Sequence, residues 1–513
     1  MKKIVVILLG FGAIFSANAQ YAADLYKYSE IKTSGSARMQ SIGGNHAAIG
    51  ADASNFSGNP AGLGFYNRSE LSFGFNNNKL SSSSTFIDGS TAAEFKNPKL
   101  NNFALVFLKP QGRNGSLRRS TWGVGFNRLN DFNTGFNYSG VNKKSSILDY
   151  YVAEANNRNL TPDKFDKNIN KSGVTGVENL DYADVTLFYQ GYLINPTTAI
   201  GAPYFRFDRN SAITQSGSYQ AKGGTSQWSV SYSENYNDKF YWGASAGITS
   251  TNFESSNIFT EKNVTPVVFN GFSLTENLSV YGTGINFTLG SIYKLSPTLQ
   301  IGASVQTPTY MNSRENYTQS LTIDPKFIPD EKGKKVDPAF TTLTTKDDLR
   351  FVNFNSPIRA SGGLTYFIAK KGFITATAEY VGYSRMKARI TEAYFDPTIT
   401  ENQEIKNDIL NNYANTINLR VGGEFKIKMI SVRAGLASIP TSYRSNDNIN
   451  RGKTILSAGL GYRNSGYFID AGINRTSFQS AYTPYALNNT ADFTSVKTEN
   501  TVANTFVSIG KFF

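Results

Sequence analysis

The sequence predicts an all-β fold: a transmembrane antiparallel β-barrel of about 14 strands, with an N-terminal plug in its lumen. Three observations predict it. An export signal opens the chain, many period-2 apolar segments follow, and an alternating run, Val502 to Phe513 (VANTFVSIGKFF), closes it on an aromatic. A barrel strand ending on an aromatic is the expected handle for the outer-membrane barrel assembly machinery, here Phe513.

The signal comes first. Lys2 and Lys3 form a basic n-region, Ile4 to Phe15 an apolar h-region, and Ala17-Asn18-Ala19 an A-x-A cleavage site. Residues 1–19 are therefore expected to be removed, leaving Gln20 first. The apolar run is about 12 residues, short of the roughly 20 that a membrane helix needs. No cysteine follows the cleavage site, so a lipidated N-terminus is excluded.

Composition fits a barrel. Mean hydropathy is −0.33, as expected where lipid-facing and lumen-facing residues alternate and cancel. With 0 cysteines there is no disulfide or thiolate metal site. The formal charge of +13 falls to +11 once the two signal lysines are removed. Export argues against a nucleic-acid partner, and lipopolysaccharide phosphates at the barrel rim are the simpler anionic partner. The basic runs Arg113/Arg118/Arg119 and Lys332/Lys334/Lys335 read as solubilising turns.

The strand signal is clearest in segment 417–427. One face reads Ile417, Leu419, Val421, Gly423, Phe425, Ile427; the other reads Asn418, Arg420, Gly422, Glu424, Lys426. Side chains alternate across a strand, so one face is greasy and the other wet. Segments 430–437, 455–462 and 467–476 repeat the pattern. Glycine recurs on the wet side, where something packed inside the barrel needs small neighbours.

Connections give a second signal. Short turns fall at Asn237-Asp238, Leu295-Ser296-Pro297, Lys370-Lys371-Gly372, Ile427-Lys428 and Asn464-Ser465-Gly466. Long polar connections fall between them, near 255–277, 325–354, 391–414, 439–452 and 479–500. Outer-membrane barrels have short periplasmic turns and long extracellular loops, so both termini are expected in the periplasm. The resulting strands are 69–77, 101–109, 120–139, 226–236, 240–254, 279–294, 298–323, 355–368, 373–391, 415–427, 429–437, 453–463, 467–478 and 502–513. Leu129-Asn130-Asp131 interrupts the third and Pro308 the seventh, so each is one kinked strand or two. The largest insertion, 140–225, has helical character at Ser146 to Asn157 and Asp184 to Leu193. The 37 Phe and 29 Tyr exceed what interfacial girdles need. The surplus lines an apolar route or packs loops.

Residues 20–68 do not alternate. They are small and polar, with few charges, and too short for an independent domain of ordinary size. A compact plug inside the barrel, residues 69–513, fits them. Gly43-Gly44, Ala51-Asp52-Ala53-Ser54 and above all Asn59-Pro60-Ala61-Gly62-Leu63 carry a resemblance. The stretch Ser36 to Phe73 resembles the N-terminal hatch of the FadL/TodX family, outer-membrane transporters of long-chain fatty acids and aromatic hydrocarbons. The resemblance implies a monomeric 14-stranded barrel with a hatch at its periplasmic end. It further implies passive transport of hydrophobic small molecules, with lateral exit through the wall. The large 140–225 insertion departs from the family pattern.

The competing classes are a scaffold in a secretion or surface-assembly complex, a general porin, and an outer-membrane enzyme. The only histidine, His46, falls in the plug, so a His-activated nucleophile among barrel strands or loop rims is not expected. No cofactor or metal site is read. Inward charges remain: Arg359, Glu379, Arg420, Glu424, Lys426, Arg433 and Asp470. Arg359, Arg420, Lys426 and Arg433 are candidate contacts for a ligand carboxylate. The bland reading is cross-strand ion pairing.

Overall fold

The computed structural model describes residues 18–513 except 33, 112–117, 170–175, 178–181, 199, 207–211, 330–332, 338–340, 370, 394–398 and 445–446. The expected export signal lies, up to residue 17, outside the described residues, and so do Arg113 and Lys332.

Fourteen strands close into an antiparallel barrel: β1 (Glu70–Phe86), β2 (Gly89–Gln111), β3 (Arg118–Asp131), β4 (Ile213–Tyr236), β5 (Phe240–Asn263), β6 (Phe269–Lys294), β7 (Leu299–Gln306), β8 (Arg359–Ile368), β9 (Gly372–Val381), β10 (Thr416–Ile427), β11 (Ile430–Ile439), β12 (Lys453–Arg463), β13 (Tyr467–Tyr482) and β14 (Val496–Phe512). Each pairs with its neighbours in sequence order, and β1 pairs with β14 from Glu70↔Phe512 to Thr85↔Lys497. Closure leaves no sheet edge to face lipid. Among the described residues no helix is long and apolar enough to cross a membrane.

The short turns lie where the sequence put them, save that Lys370 of the turn Lys370-Lys371-Gly372 lies outside the described residues. Asn237 and Asp238 (φ 53° and 51°) join β4 to β5, and Lys428 (φ 57°) helps join β10 to β11. Strand lengths need correction. β4 and β5 have 24 residues each. At about 3.3 Å per residue, such a strand runs roughly 80 Å, far beyond the ~30 Å hydrocarbon core.

The reason is an inversion of faces along one strand. Going up β5, the outward residues are Phe240, Trp242, Ala244, Ala246 and Ile248, then Ser250, Asn252 and Glu254. The inward residues are mostly small or polar to Thr251, then Phe253 and Phe259 are fully enclosed. β6 repeats this: Ile285, Phe287 and Leu289 face out below, while Leu274 and Val280 face in above. Outside the membrane the outer face meets water and the inner face becomes a core.

Polar upper strands therefore read as loops. Residues 78–100 belong to β1 and β2, joined at Ile87-Asp88. The connection expected at 255–277 shrinks to 264–268, and that at 325–354 loses Asp348–Asn355 to a strand. The insertion expected at 140–225 ends before Ile213, where β4 begins; the run SGSYQAKGGTS has no apolar outer face to reveal it.

The kinks resolve as breaks. The third strand stops at Asp131 and resumes as Thr134–Asn142. The seventh stops at Gln306 and resumes, past Pro308, as Tyr310–Pro325. The ninth also breaks, at Gly382, resuming as Lys387–Glu392.

Among the described residues six helices complete the fold: α1 (Asn18–Ser29), α2 (Ala37–Ser41), α3 (Ile147–Asn157), α4 (Pro162–Lys167), α5 (Ala183–Gln190) and α6 (Ile399–Asn412). α3 lies where the sequence showed helical character. Ser146 caps it by accepting from Leu148 N, and Asp149 completes a capping box. Helix α6 stands in a connection whose sequence reads as merely polar.

Candidate functional site

Residues 18–32 and 34–66 pack against the inward faces of the wall at two levels that are built differently.

At the lower level, α2 and two 3-10 turns, Ala53–Phe56 and Pro60–Phe65, pack on the inward faces of the wall. Each starts on a side-chain cap: Ser36 to Met39 N, Asp52 to Ser54 N and Asn59 to Ala61 N. The segment's backbone is satisfied by wall side chains. Ser508 Oγ accepts from Ala37 N at 2.8 Å, Ser245 Oγ donates to Phe56 O at 2.9 Å, and Thr365 Oγ1 donates to Ala48 O at 3.0 Å.

The Asn-Pro-Ala-Gly motif has a clear physical basis. Asn59 is wholly buried, and its Nδ2 donates to Ala47 O (2.6 Å), Ser291 O (3.2 Å) and Ala303 O (3.3 Å). One side chain thus caps a turn and grips the β6–β7 seam. Pro60 opens the turn against Gly243, where an added Cβ would fall 2.5 Å from the Pro60 carbonyl carbon. Ala61 packs with Tyr241 and Ile292. At Gly62 a Cβ would collide with Asn55 Nδ2 at 2.2 Å. Wall glycines match: a Cβ on Gly302 would meet Ala47 O at 2.0 Å, and one on Gly422 would meet Ile42 O at 2.3 Å.

The three inward arginines of the sequence reading all have acidic partners. Arg359 Nη1 and Arg420 Nη2 reach Glu379 at 3.2 and 3.3 Å; Arg359 also donates to Ser29 O and Arg420 to Gly43 O. Arg433 bridges Glu424 (2.7 Å) and Asp470 (2.6 Å), and Arg38 joins from α2 at 3.1 Å from Glu424. Lys426 lies 3.6 Å from Glu424, half exposed. Pairing on this scale offsets the desolvation of buried charge and ties the segment to β10.

His46 sits in this level. Its Nδ1 faces Gly44 O at 3.1 Å and its Nε2 faces Ser361 Oγ at 3.2 Å. A carbonyl, not a carboxylate, orients the ring. Burial holds the imidazole below its ordinary pKa. The adjoining cavity, about 70 Å³, is polar, with Lys32, Ser57, Gln306, Ser361 and Glu379 on its walls. At roughly 10–15 Å³ each it has room for a few waters. Among the described residues, no three His, Asp or Glu groups converge as a metal site.

The upper level is apolar. Ala22, Leu25 and Tyr28 of α1 are buried among Phe132, Phe253, Val280, Met311, Val352 and Phe354. Tyr28 makes edge contacts with Phe132 and Phe253 at 5.7 and 5.6 Å. Ile405 and Ile409 of α6 close the cluster from above. The strand pattern singles out none of these residues. The available signal was Tyr21, Leu25 and Tyr28 at helical spacing just after the cleavage site.

The wall has a discontinuity beside this level. β2 and β3 are laddered only from Gln111↔Arg118 to Asn102↔Asn127. Above that, β2 pairs with β1 alone and Thr134–Asn142 pairs with β4 alone. Side chains span the seam: the Phe95 ring sits on Gly135, Thr91 Oγ1 donates to Asn137 O at 2.6 Å, and Lys99 pairs with Asp131.

The closed 14-strand wall has counterparts among solved structures. A FadL homologue from Pseudomonas aeruginosa matches over 94% of this chain and 99% of its own, with a TM-score of 0.53 and 12% identity. The Pseudomonas putida toluene transporter TodX matches with the same coverage, score and identity. The fold is that of the FadL and TodX barrels. No protein-family model matches the sequence and no curated protein matches it, so the likeness lies in the fold.

Proposed function

We propose that this chain carries small hydrophobic molecules passively across the bacterial outer membrane. In this reading residues 20–68 act as a hatch, and cargo leaves sideways into the bilayer. The observation that carries it is the seam between β2 and the segment Thr134–Asn142, a break in the backbone ladder that begins just above the outward rings of Phe103, Phe126 and Trp228 and lies beside the apolar cluster packed around α1. An apolar solute gains nothing from a polar pore but gains by entering lipid, at about 25 cal/mol per Å² of apolar surface removed from water. TodX, which shares the fold, is described as a toluene transporter, which supports the cargo class. The filled, ion-paired lower level argues against a general porin.

The test is uptake of labelled oleate and toluene into proteoliposomes. Lys99→Cys with Asp131→Cys, bridged by a cleavable thiol reagent in this cysteine-free chain, should abolish uptake, and cleavage should restore it. Unchanged uptake in the bridged protein would sink lateral exit. Asn59→Ala with Pro60→Ala should change the uptake rate if the hatch gates it.

A further inference from the structure

Tyr26 of α1 and Glu30, just past the end of that helix, are held in a site more specific than apolar packing needs. The Tyr26 ring is enclosed by three tyrosines from three separate connections. Tyr413, after α6, stacks on it at 5.0 Å and 12°. Tyr383, after β9, lies at 5.1 Å, and Tyr443, between β11 and β12, meets it edge-on at 5.2 Å. The Tyr26 hydroxyl donates to Glu30 Oε1 at 3.0 Å, and the Glu30 carboxylate pairs with Lys453 at the start of β12. Ring and carboxylate are one helical turn apart, about 6 Å along the axis.

Contacts that tie this stretch to the wall, and that withdrawal must break, are Glu30 to Lys453, Arg359 to Ser29 O, Asn130 Nδ2 to Lys27 O at 2.9 Å and Lys32 N to Leu129 O at 3.0 Å. The Tyr26–Glu30 bond and the Lys27–Asp24 pair (2.7 Å) are internal to the segment and depart with it. Left behind are a three-ring cage and Lys453, whose side chain is 17% exposed with Glu30 in place. A partly buried cation deprived of its partner leaves the vacated site favouring an anion. Stacked rings favour a planar aromatic.

We propose that Tyr383, Tyr413, Tyr443 and Lys453 form a binding site for an aromatic carboxylate, occupied in the resting state by Tyr26 and Glu30 as an intramolecular stand-in. The site rests on the transport reading and refines it: the ligand that displaces α1 is a ring bearing an acid. Displacement needs only a ligand that binds the helix-withdrawn state better than the helix-docked one.

The experiment uses the full chain in detergent with Ala22→Cys, a position now 1% exposed in a protein without cysteines. Maleimide labelling reports withdrawal of α1. 3-Phenylpropionate should speed labelling about tenfold, as a population shift of that size requires. Ethylbenzene, which lacks the acid, and decanoate, which lacks the ring, should each do markedly less. Lys453→Gln should remove the advantage of phenylpropionate over ethylbenzene. Tyr26→Ala should label quickly without ligand and bind phenylpropionate in calorimetry. Equal responses to all three compounds would overturn the aromatic-acid assignment. No response in the Ala22→Cys protein, together with no calorimetric binding to Tyr26→Ala, would overturn the site. Oleate and toluene uptake by the same preparations is scored separately, so loss of the site and loss of transport are told apart.

Discussion

The lower and upper lumen hold the same N-terminal segment by opposite physics. Below, the wall is polar and the segment is pinned by directional bonds: Asn59 to two wall carbonyls, and Arg38 to Glu424. Above, α1 buries Leu25 and Tyr28 in an apolar cluster, with polar ties to the wall at its C-terminal end, from Lys453 to Glu30, Arg359 to Ser29 O and Asn130 to Lys27 O. Directional bonds fix a position, since each buried polar group left unpaired costs about 1–3 kcal/mol. Apolar packing is non-directional, and another apolar body can replace it. The difference suggests a fixed lower stopper and an exchangeable upper occupant.

The comparison can be broken at several points. The largest effect is expected at Arg433→Ala. It strips Asp470 and Glu424 of a shared partner, and loss of one member of a buried ionic network costs about 3–5 kcal/mol. Urea unfolding in micelles reads it. Gly302→Val comes next. Its side chain would occupy the place of Ala47 O, and overpacking of this kind costs about 1–3 kcal/mol. The wall should survive, as judged by heat-modifiable gel mobility, while residues 36–66 become protease-sensitive. Asn59→Ala should cost about 1–2 kcal/mol through the lost cap and carbonyl bonds.

The smallest effect is in pH. Burial raises the Glu30 carboxylate, but the pair with Lys453 outweighs it and holds the group below its ordinary value of 4.5. A depressed acid contributes its stability above 4.5 and loses it as pH falls through the folded value. The Glu30 contribution to Ala22→Cys protection should therefore be constant from pH 8 to 5 and be lost only below that, a loss that Glu30→Gln removes. A loss that begins near pH 6.5 and deepens as pH falls would assign the control to His46 instead.

The lower half of the barrel was legible in the sequence because lipid outside and water or polar plug inside impose strict alternation, as in Ile417 to Ile427. The turns were legible through Asn237-Asp238 and Asn464-Ser465-Gly466. The upper half was not. Once β5 passes Ile248 its outer face turns polar while Phe253 and Phe259 turn inward, so the period-2 pattern changes phase and fades. The motif at Asn59 was visible as a local signature. The tyrosine cage was not, because Tyr26, Tyr383, Tyr413 and Tyr443 are brought together only by long-range closure.

The central claim is a sealed bore. Conductance of the intact barrel in planar bilayers, beside one lacking residues 20–68, tests it most directly. The account predicts almost no current from the intact protein and a steady open pore from the deletion. Porin-like current from the intact protein, unchanged by the deletion, would contradict it.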